Sequence, residues 1–292
     1  MKIKRRMLWK ILIDAVIIII AVTIILGYRA ISPPRMPVLI TPADLGLPYE
    51  KVNFITEDGK NLSGWFIHSK EALGVIICLH GYPANKSDIL PFVEFLYPSF
   101  SLFLFDFRAH GESSGKITHF GLKEHLDVYA AIKWLRSNKE TKNANTGIWG
   151  YSLGAAVGII AADGNNEIKA LVTDSAFANF PEMVTNYYKN FGPLKYVFSG
   201  TSRILGRWIL RSDFSLNSPE TRISGIKCPV LIIHSEDDEF VPFQHAKRLF
   251  EKAPEPKELL ITHGSHTGMA GTSEYQKKVL NFFKKYLDRR EK

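Results

Sequence analysis

A serine hydroxyl becomes a useful nucleophile when a neighbouring base takes its proton and a third group holds that base in orientation. Ser152 has the setting for the first part. It is the centre of Gly150-Tyr151-Ser152-Leu153-Gly154, a G-x-S-x-G pentapeptide between a short apolar run, residues 146–149, and a small-residue helical pattern, residues 155–162. In a strand–turn–helix context this pattern makes a sharp turn that strains the serine backbone. The two glycines let strand and helix approach closely enough to permit it. Partners for the serine follow later in the chain. Asp238 comes just after a strongly apolar run, residues 230–233, and His266 lies in His263-Gly264-Ser265-His266-Thr267-Gly268, after residues 258–262. Both have rivals: Asp237 adjoins Asp238, Glu236 and Glu239 flank the pair, Asp174 ends the strand after the pentapeptide, and His263 is three residues from His266. Composition leaves the choice of acid and base open.

Other chemistries find less support. A metal cage of His263 and His266 with His80 or His234 would lack any H-E-x-x-H or Cys/His ligand spacing. No G-x-x-x-x-G-K or G-x-G-x-x-G phosphate loop follows a strand. We expect no metal and no cofactor. Cys78, inside an apolar run, and Cys228, just before another, read as buried free thiols.

The elements that must position these residues alternate. Eight β-type runs recur at residues 52–55, 62–68, 75–80, 102–105, 146–149, 170–174, 230–234 and 258–262. Glu57-Asp58-Gly59-Lys60 joins the first two as a hairpin, so the sheet should open antiparallel. From Val75 onward the runs are almost continuously apolar, as parallel strands covered on both faces should be. Helical patterns separate them, at about residues 86–96, 122–137, 152–163, 243–252 and 274–287. Such alternation predicts an α/β fold with a doubly wound, mostly parallel sheet. Residues 177–225 interrupt it with helical signals only and many aromatic side chains, among them Phe180, Tyr187, Tyr188, Phe198 and Trp208. They read as an insertion folded over the site, either packing onto the sheet or lining an apolar pocket.

Charge is unevenly placed. The net +8 of the 292-residue chain comes mostly from residues 1–35, which hold seven Lys/Arg against Asp14 alone. The remainder is nearly neutral and carries no nucleic-acid footprint. Residues 11–28 are apolar apart from Asp14 and Thr23, a stretch of about 27 Å at 1.5 Å per residue that could just span a bilayer. Five Lys/Arg in the first ten residues orient its N-terminus toward the cytoplasm and the catalytic domain away from it. The h-region is long for a cleaved signal peptide and no clean A-x-A site precedes Pro33, so an uncleaved cell-membrane anchor is expected. The chain then divides into a basic tail and anchor (1–30), a Pro-rich stiff spacer (31–47) and one catalytic domain (48–292).

Taken together, the motifs resemble the α/β-hydrolase superfamily over roughly residues 50–290. His80-Gly81 matches the family's strand-end H-G, and Asp106-Phe107-Arg108-Ala109-His110-Gly111-Glu112-Ser113 approximates its D-x-R-G-H-G-x-S loop. Gly150 to Gly154 match its G-x-S-x-G. His234-Ser235-Glu236-Asp237-Asp238-Glu239-Phe240-Val241-Pro242 approximates H-G-x-x-D-x-x-V-P, and His266 matches the histidine ending G-x-H. The resemblance implies an eight-stranded α/β-hydrolase sheet with a helical lid at about 177–225. It assigns Ser152, Asp238 and His266 as nucleophile, acid and base, in the family's chain order, and the backbone N–H groups of Tyr82 and Leu153 as the oxyanion hole. His80 is expected to be structural. Ala109 and Ser235 stand where the family commonly has Gly, which should put slight strain on both turns. Overall the chain looks most like bacterial single-anchor hydrolases similar to the serine aminopeptidase-like group. The activity implied is serine hydrolysis of a small-molecule or lipid carboxylic ester, with a thioester or peptide as the alternative on the same machinery and a silent membrane-tethered binding protein as the more distant one.

Overall fold

The structure is a computed structural model that describes residues 2–210, 218–266 and 272–288. It opens on a single long helix, α1 (Lys2–Ile31), whose residues Arg5–Ile31 are long and apolar enough to cross a membrane. After residues 32–49 the sheet begins with β1 (Glu50–Ile55) and β2 (Asn61–Ile67), paired antiparallel as the hairpin signal predicts. Then follow β3 (Val75–Leu79), α2 (Lys86–Val93), β4 (Ser101–Phe105), α3 (Glu124–Ser137), β5 (Thr146–Tyr151), α4 (Leu153–Ala162) and β6 (Ile168–Asp174). The insertion supplies α5 (Phe180–Tyr187), α6 (Lys195–Leu210) and α7 (Pro219–Arg222). Its residues 211–217 lie outside the described residues, as do Thr267 and Gly268 of the histidine loop. The alternation resumes with β7 (Val230–Ser235), α8 (Gln244–Lys252), β8 (Lys257–Thr262) and α9 (Ser273–Leu287).

The eight strands form one sheet in the order β1-β2-β4-β3-β5-β6-β7-β8. From β4 to β8 every neighbouring pair is parallel. Successive side chains of a strand point to opposite faces, and the apolar runs feed two cores. In β3, Val75, Ile77 and Leu79 pack under α3, α4 and α8, while Ile76 and Cys78 pack under α2 and α9. That double coverage is why these strands read as unbroken apolar runs rather than as alternation.

Two helices differ from expectation at their ends. The helix beginning at Lys86 ends at Val93 and continues as a tighter turn, Glu94–Leu96, just after Pro91, which has no N–H to give the ladder. The helix after the pentapeptide begins at Leu153, one residue later than the pattern suggests, because Ser152 holds the turn itself.

Residues 31–47 run against the domain. Ser87 Oγ accepts the N–H groups of Leu39 and Ile40 at 3.1 and 2.9 Å, and Asn85 Nδ2 donates to the Met36 and Pro37 carbonyls. The Arg35 guanidinium is spent on the carbonyls of His110, Gly111, Ser113 and Gly115.

Candidate active site

Parallel strands in such a sheet present their carboxyl ends along one edge, and crossover loops leave that edge free for a site. Four candidate residues sit just after strand ends on that edge: Tyr82 after β3, Ser152 after β5, Asp238 after β7 and His266 after β8. Ser152 has φ 52° and ψ −111°, in the region that disfavours a side chain. The flanking glycines explain how the turn closes. A β-carbon on Gly150 would stand 2.5 Å from Gly154 O, and one on Gly154 would stand 2.2 Å from Leu79 O. The turn is held from below by the Ser152 N–H, which donates to Asp174 O at 2.8 Å.

The structure brings Ser152, His266 and Asp238 into one hydrogen-bonded chain. Ser152 Oγ is 3.0 Å from His266 Nε2, and His266 Nδ1 is 2.5 Å from Asp238 Oδ2. The other carboxylate oxygen, Asp238 Oδ1, accepts the N–H groups of Phe240 and Val241 at 2.9 and 2.8 Å. Burial works against ionising Asp238, but the bonds from His266 and Val241 outweigh it and hold its pKa below the ordinary carboxylate value. An ionised, fully hydrogen-bonded Asp238 fixes His266 with its Nδ1 protonated, leaving Nε2 free to accept from Ser152.

The rivals are placed elsewhere. Asp237 and His263 form their own loose pair, 3.6 Å apart with both side chains largely exposed, and Asp237 caps the Gly264 N–H. Asp174 faces away into a buried chain in which Trp149 Nε1 donates to Tyr275 Oη and the Tyr275 hydroxyl donates to Asp174 Oδ2 at 2.8 Å. Burial pushes its carboxyl up to about 6, and the Tyr275 bond only partly offsets that. His80 is buried with both ring nitrogens engaged: Nδ1 lies 2.8 Å from Gly81 O, and Nε2 accepts the Phe107 N–H at 3.0 Å. Burial and the neighbouring His110 keep it neutral. Its role is to pin the loop after β3 to the loop after β4. Among the described residues no group of three His, Cys, Asp or Glu side chains is placed to hold a metal ion.

The loop after β4 is braced by buried charge. Lys86 Nζ reaches Asp106 at 2.6 Å and Glu112 at 2.7 Å, and Asp106 also accepts the N–H groups of Lys86 and Glu112. Arg108 pairs with Asp127 and Asp58. The two departures from glycine behave differently. Ala109 has φ 67°, so the expected strain is present there. Ser235 shows no positive φ, and its Oγ donates to Gly264 O at 2.5 Å, so its side chain ties the loop after β7 to the loop of His266.

Tyr82 and Leu153 lie on either side of Ser152. A β-carbon on Gly81 would come within 3.3 Å of Ser152 Cβ, so the loop after β3 runs directly over the turn. No acceptor among the described residues takes the Tyr82 or Leu153 N–H. Two free donors flanking a serine suit an oxyanion.

A cavity of about 560 Å³ opens beside His266. Its walls are almost wholly apolar: Tyr82, Phe120 and Phe240 from the strand-end loops, and Phe180, Met183 and Leu205 from the insertion, among others. A larger cleft of about 1080 Å³ lies at the opposite edge, by the starting ends of β3 and β4, and contains none of the candidates. Several contributors escape sequence reading. Phe240 packs edge-on to the His266 ring at 5.2 Å, and Tyr151 lies against it at 5.3 Å while donating its hydroxyl to His266 O. Tyr151 is a free position in G-x-S-x-G and Phe240 in the acid motif, so neither pattern singles them out. The cavity also takes Thr23, Ile24, Gly27 and Ile31 from α1.

Comparison with known proteins agrees with this fold. A family model described as alpha/beta hydrolase fold matches residues 74–201. The chain is 30% identical over 226 residues to the YfhR protein of Escherichia coli (strain K12), covering 74% of this chain and 73% of that one. It is 29% identical over 267 residues to the alpha/beta hydrolase domain-containing protein WAV2 of Arabidopsis thaliana, covering 87% and 84%. Among solved structures it is similar to the Pyrococcus furiosus esterase Pf2001, with a TM-score of 0.75, 30% identity and coverage of 88% of this chain and 100% of that one.

Proposed function

Because the chain belongs to the α/β-hydrolase family, we propose that it is a membrane-anchored serine hydrolase that cleaves a carboxylic ester with an apolar, lipid-like acyl group through an acyl-enzyme. The observation that carries this reading is the hydrogen-bonded chain Ser152–His266–Asp238, with distances of 3.0 and 2.5 Å. Ser152 Oγ attacks the carbonyl carbon as His266 Nε2 takes its proton. The carbonyl oxygen becomes an oxyanion facing the Tyr82 and Leu153 N–H groups, each worth roughly 3 kcal/mol of transition-state stabilisation. The imidazolium, stabilised by Asp238, then gives its proton to the departing alkoxide. An ester bond to Ser152 remains. Water attacks it with His266 again as base, releasing the carboxylic acid and restoring the serine. The similarity to an esterase and the apolar cavity support an ester with a hydrocarbon acyl chain. The basic N-terminus supports a cytoplasmic tail, with the catalytic domain outside the cytoplasm.

The test is turnover of p-nitrophenyl butyrate by the full-length protein. Ser152→Ala should lower kcat by roughly 10⁴-fold or more. Retained turnover in a folded variant would contradict the reading.

A further inference from the structure

We propose that the membrane-spanning helix is itself a wall of the acyl pocket, and that the substrate is a membrane-resident acyl ester admitted from the leaflet along α1 and α6 rather than from water. This rests on the serine-hydrolase reading and names its substrate class.

Three observations carry it. The first is the lining of the cavity beside His266: Ile24, Gly27 and Ile31 of α1 face Leu205, Ile209 and Leu210 of α6 across it. The second is that α1 is fixed there rather than trailing free. Thr23 Oγ1 meets Thr201 Oγ1 of α6 at 3.0 Å, the Thr118 N–H donates to Ile31 O at 2.7 Å, and Arg35, just beyond the helix, is bound to the carbonyls after β4.

The third is depth. The apolar stretch of α1, residues 11–28, is about 27 Å long, close to the thickness of a bilayer core, and Thr23 lies about 7 Å inside its end. Whatever packs on Thr23 therefore sits at the boundary between headgroups and acyl chains. α6 is built for that boundary. Ile204, Trp208 and Ile209 are 64%, 82% and 55% exposed to water on a helix that also carries Lys195 and Arg203. A helix with an exposed apolar face that carries a Trp, and with basic residues beside it, lies in the plane of a membrane surface. The unpartnered face is thus continuous with a helix whose composition already places it in lipid, and its occupant is the acyl region of the leaflet. A lipid acyl chain could then slide between α1 and α6 toward Ser152 without crossing water.

The experiment uses the full-length protein in phosphatidylcholine vesicles, with p-nitrophenyl laurate and p-nitrophenyl acetate as paired substrates. A β-carbon on Gly27 would meet nothing within 4 Å, so Gly27→Trp projects into open cavity rather than into the fold. The ratio of kcat/KM for laurate over acetate should fall at least about tenfold. A second measurement does not depend on turnover. Cys78 and Cys228 are buried, so a bimane label on Trp208→Cys reports that site alone, and brominated phosphatidylcholine should quench it. An unchanged ratio in a Gly27→Trp enzyme that still labels with a fluorophosphonate, or an unquenched bimane, would overturn this inference alone. Absence of fluorophosphonate labelling in the wild type would overturn the reading beneath it.

Discussion

At the carboxyl ends of the strands the backbone leaves no slack: a β-carbon on Gly154 would stand 2.2 Å from Leu79 O, whereas one on Gly200 of α6 or Gly27 of α1 would meet nothing within 4 Å. Both regions face the same cavity. The strand ends are defined by backbone contact and by buried side chains held through hydrogen bonds, as in His80 with both nitrogens bonded. Helices α1 and α6 are defined by side-chain contact with each other and leave large apolar residues uncovered. On the proposed reading, the chemistry is built on parts the protein completes alone, while the acyl wall is built on parts that the surrounding lipid completes.

The largest effect should come from altering the closed region at its charge. Asp238→Asn would present an amide in place of the carboxylate, favour the wrong His266 tautomer, and lower kcat by roughly 10⁴-fold. Asp237→Asn, one residue away, whose carboxylate pairs with exposed His263 and whose amide oxygen can still accept the Gly264 N–H, should stay within about twofold. Equal losses in the two variants, read from steady-state ester hydrolysis, would erase the distinction between the two pairs.

Backbone slack gives the next contrast. Gly154→Ala should destabilise the fold by roughly 3 kcal/mol or more, because Leu79 O is backbone and has nowhere to move. A denaturant titration that found Gly154→Ala harmless would show that the strand ends are looser than this packing allows.

Asp174 tests the buried chain under the turn at Ser152. Its folded pKa of about 6 lies above the unfolded value near 3.8, so between those values the native state binds more protons than the unfolded one and stability falls as pH rises. At about 1.36 kcal/mol per unit, some 2 kcal/mol should be lost from pH 4 to pH 7. Asp174→Asn, which can still accept from the Tyr275 hydroxyl, should remove that slope. A variant with the wild-type slope in thermal melts across this range would assign the pH dependence to another group. The smallest effect belongs to the open region: Gly200→Ala should stabilise by about 0.5–1 kcal/mol through helix propensity alone.

The same contrast governs what could be read from the sequence. The sheet was legible because strands covered on both faces must be apolar at every position, which residues 75–79 and 230–233 display. The turn at Ser152 was legible because only glycine fits at 150 and 154. The acid was not legible from composition, since Asp237 and Asp238 differ only in which way one step of backbone turns them, and it took the motif ending at Pro242 to favour one. Ser235 was read as a tolerated strain, yet its hydroxyl makes a bond that a glycine could not. The anchor's share of the cavity was hidden for another reason. Ile24 and Leu205 are far apart in the chain, and nothing in an apolar helix pattern says which face meets protein and which meets lipid.

The most direct test of the central claim is intact-mass and peptide analysis of the full-length protein after reaction with a fluorophosphonate. One adduct on Ser152, absent from Ser152→Ala and strongly slowed in Asp238→Asn, is the predicted result. An adduct on another residue, or labelling that persists in Ser152→Ala, would contradict it.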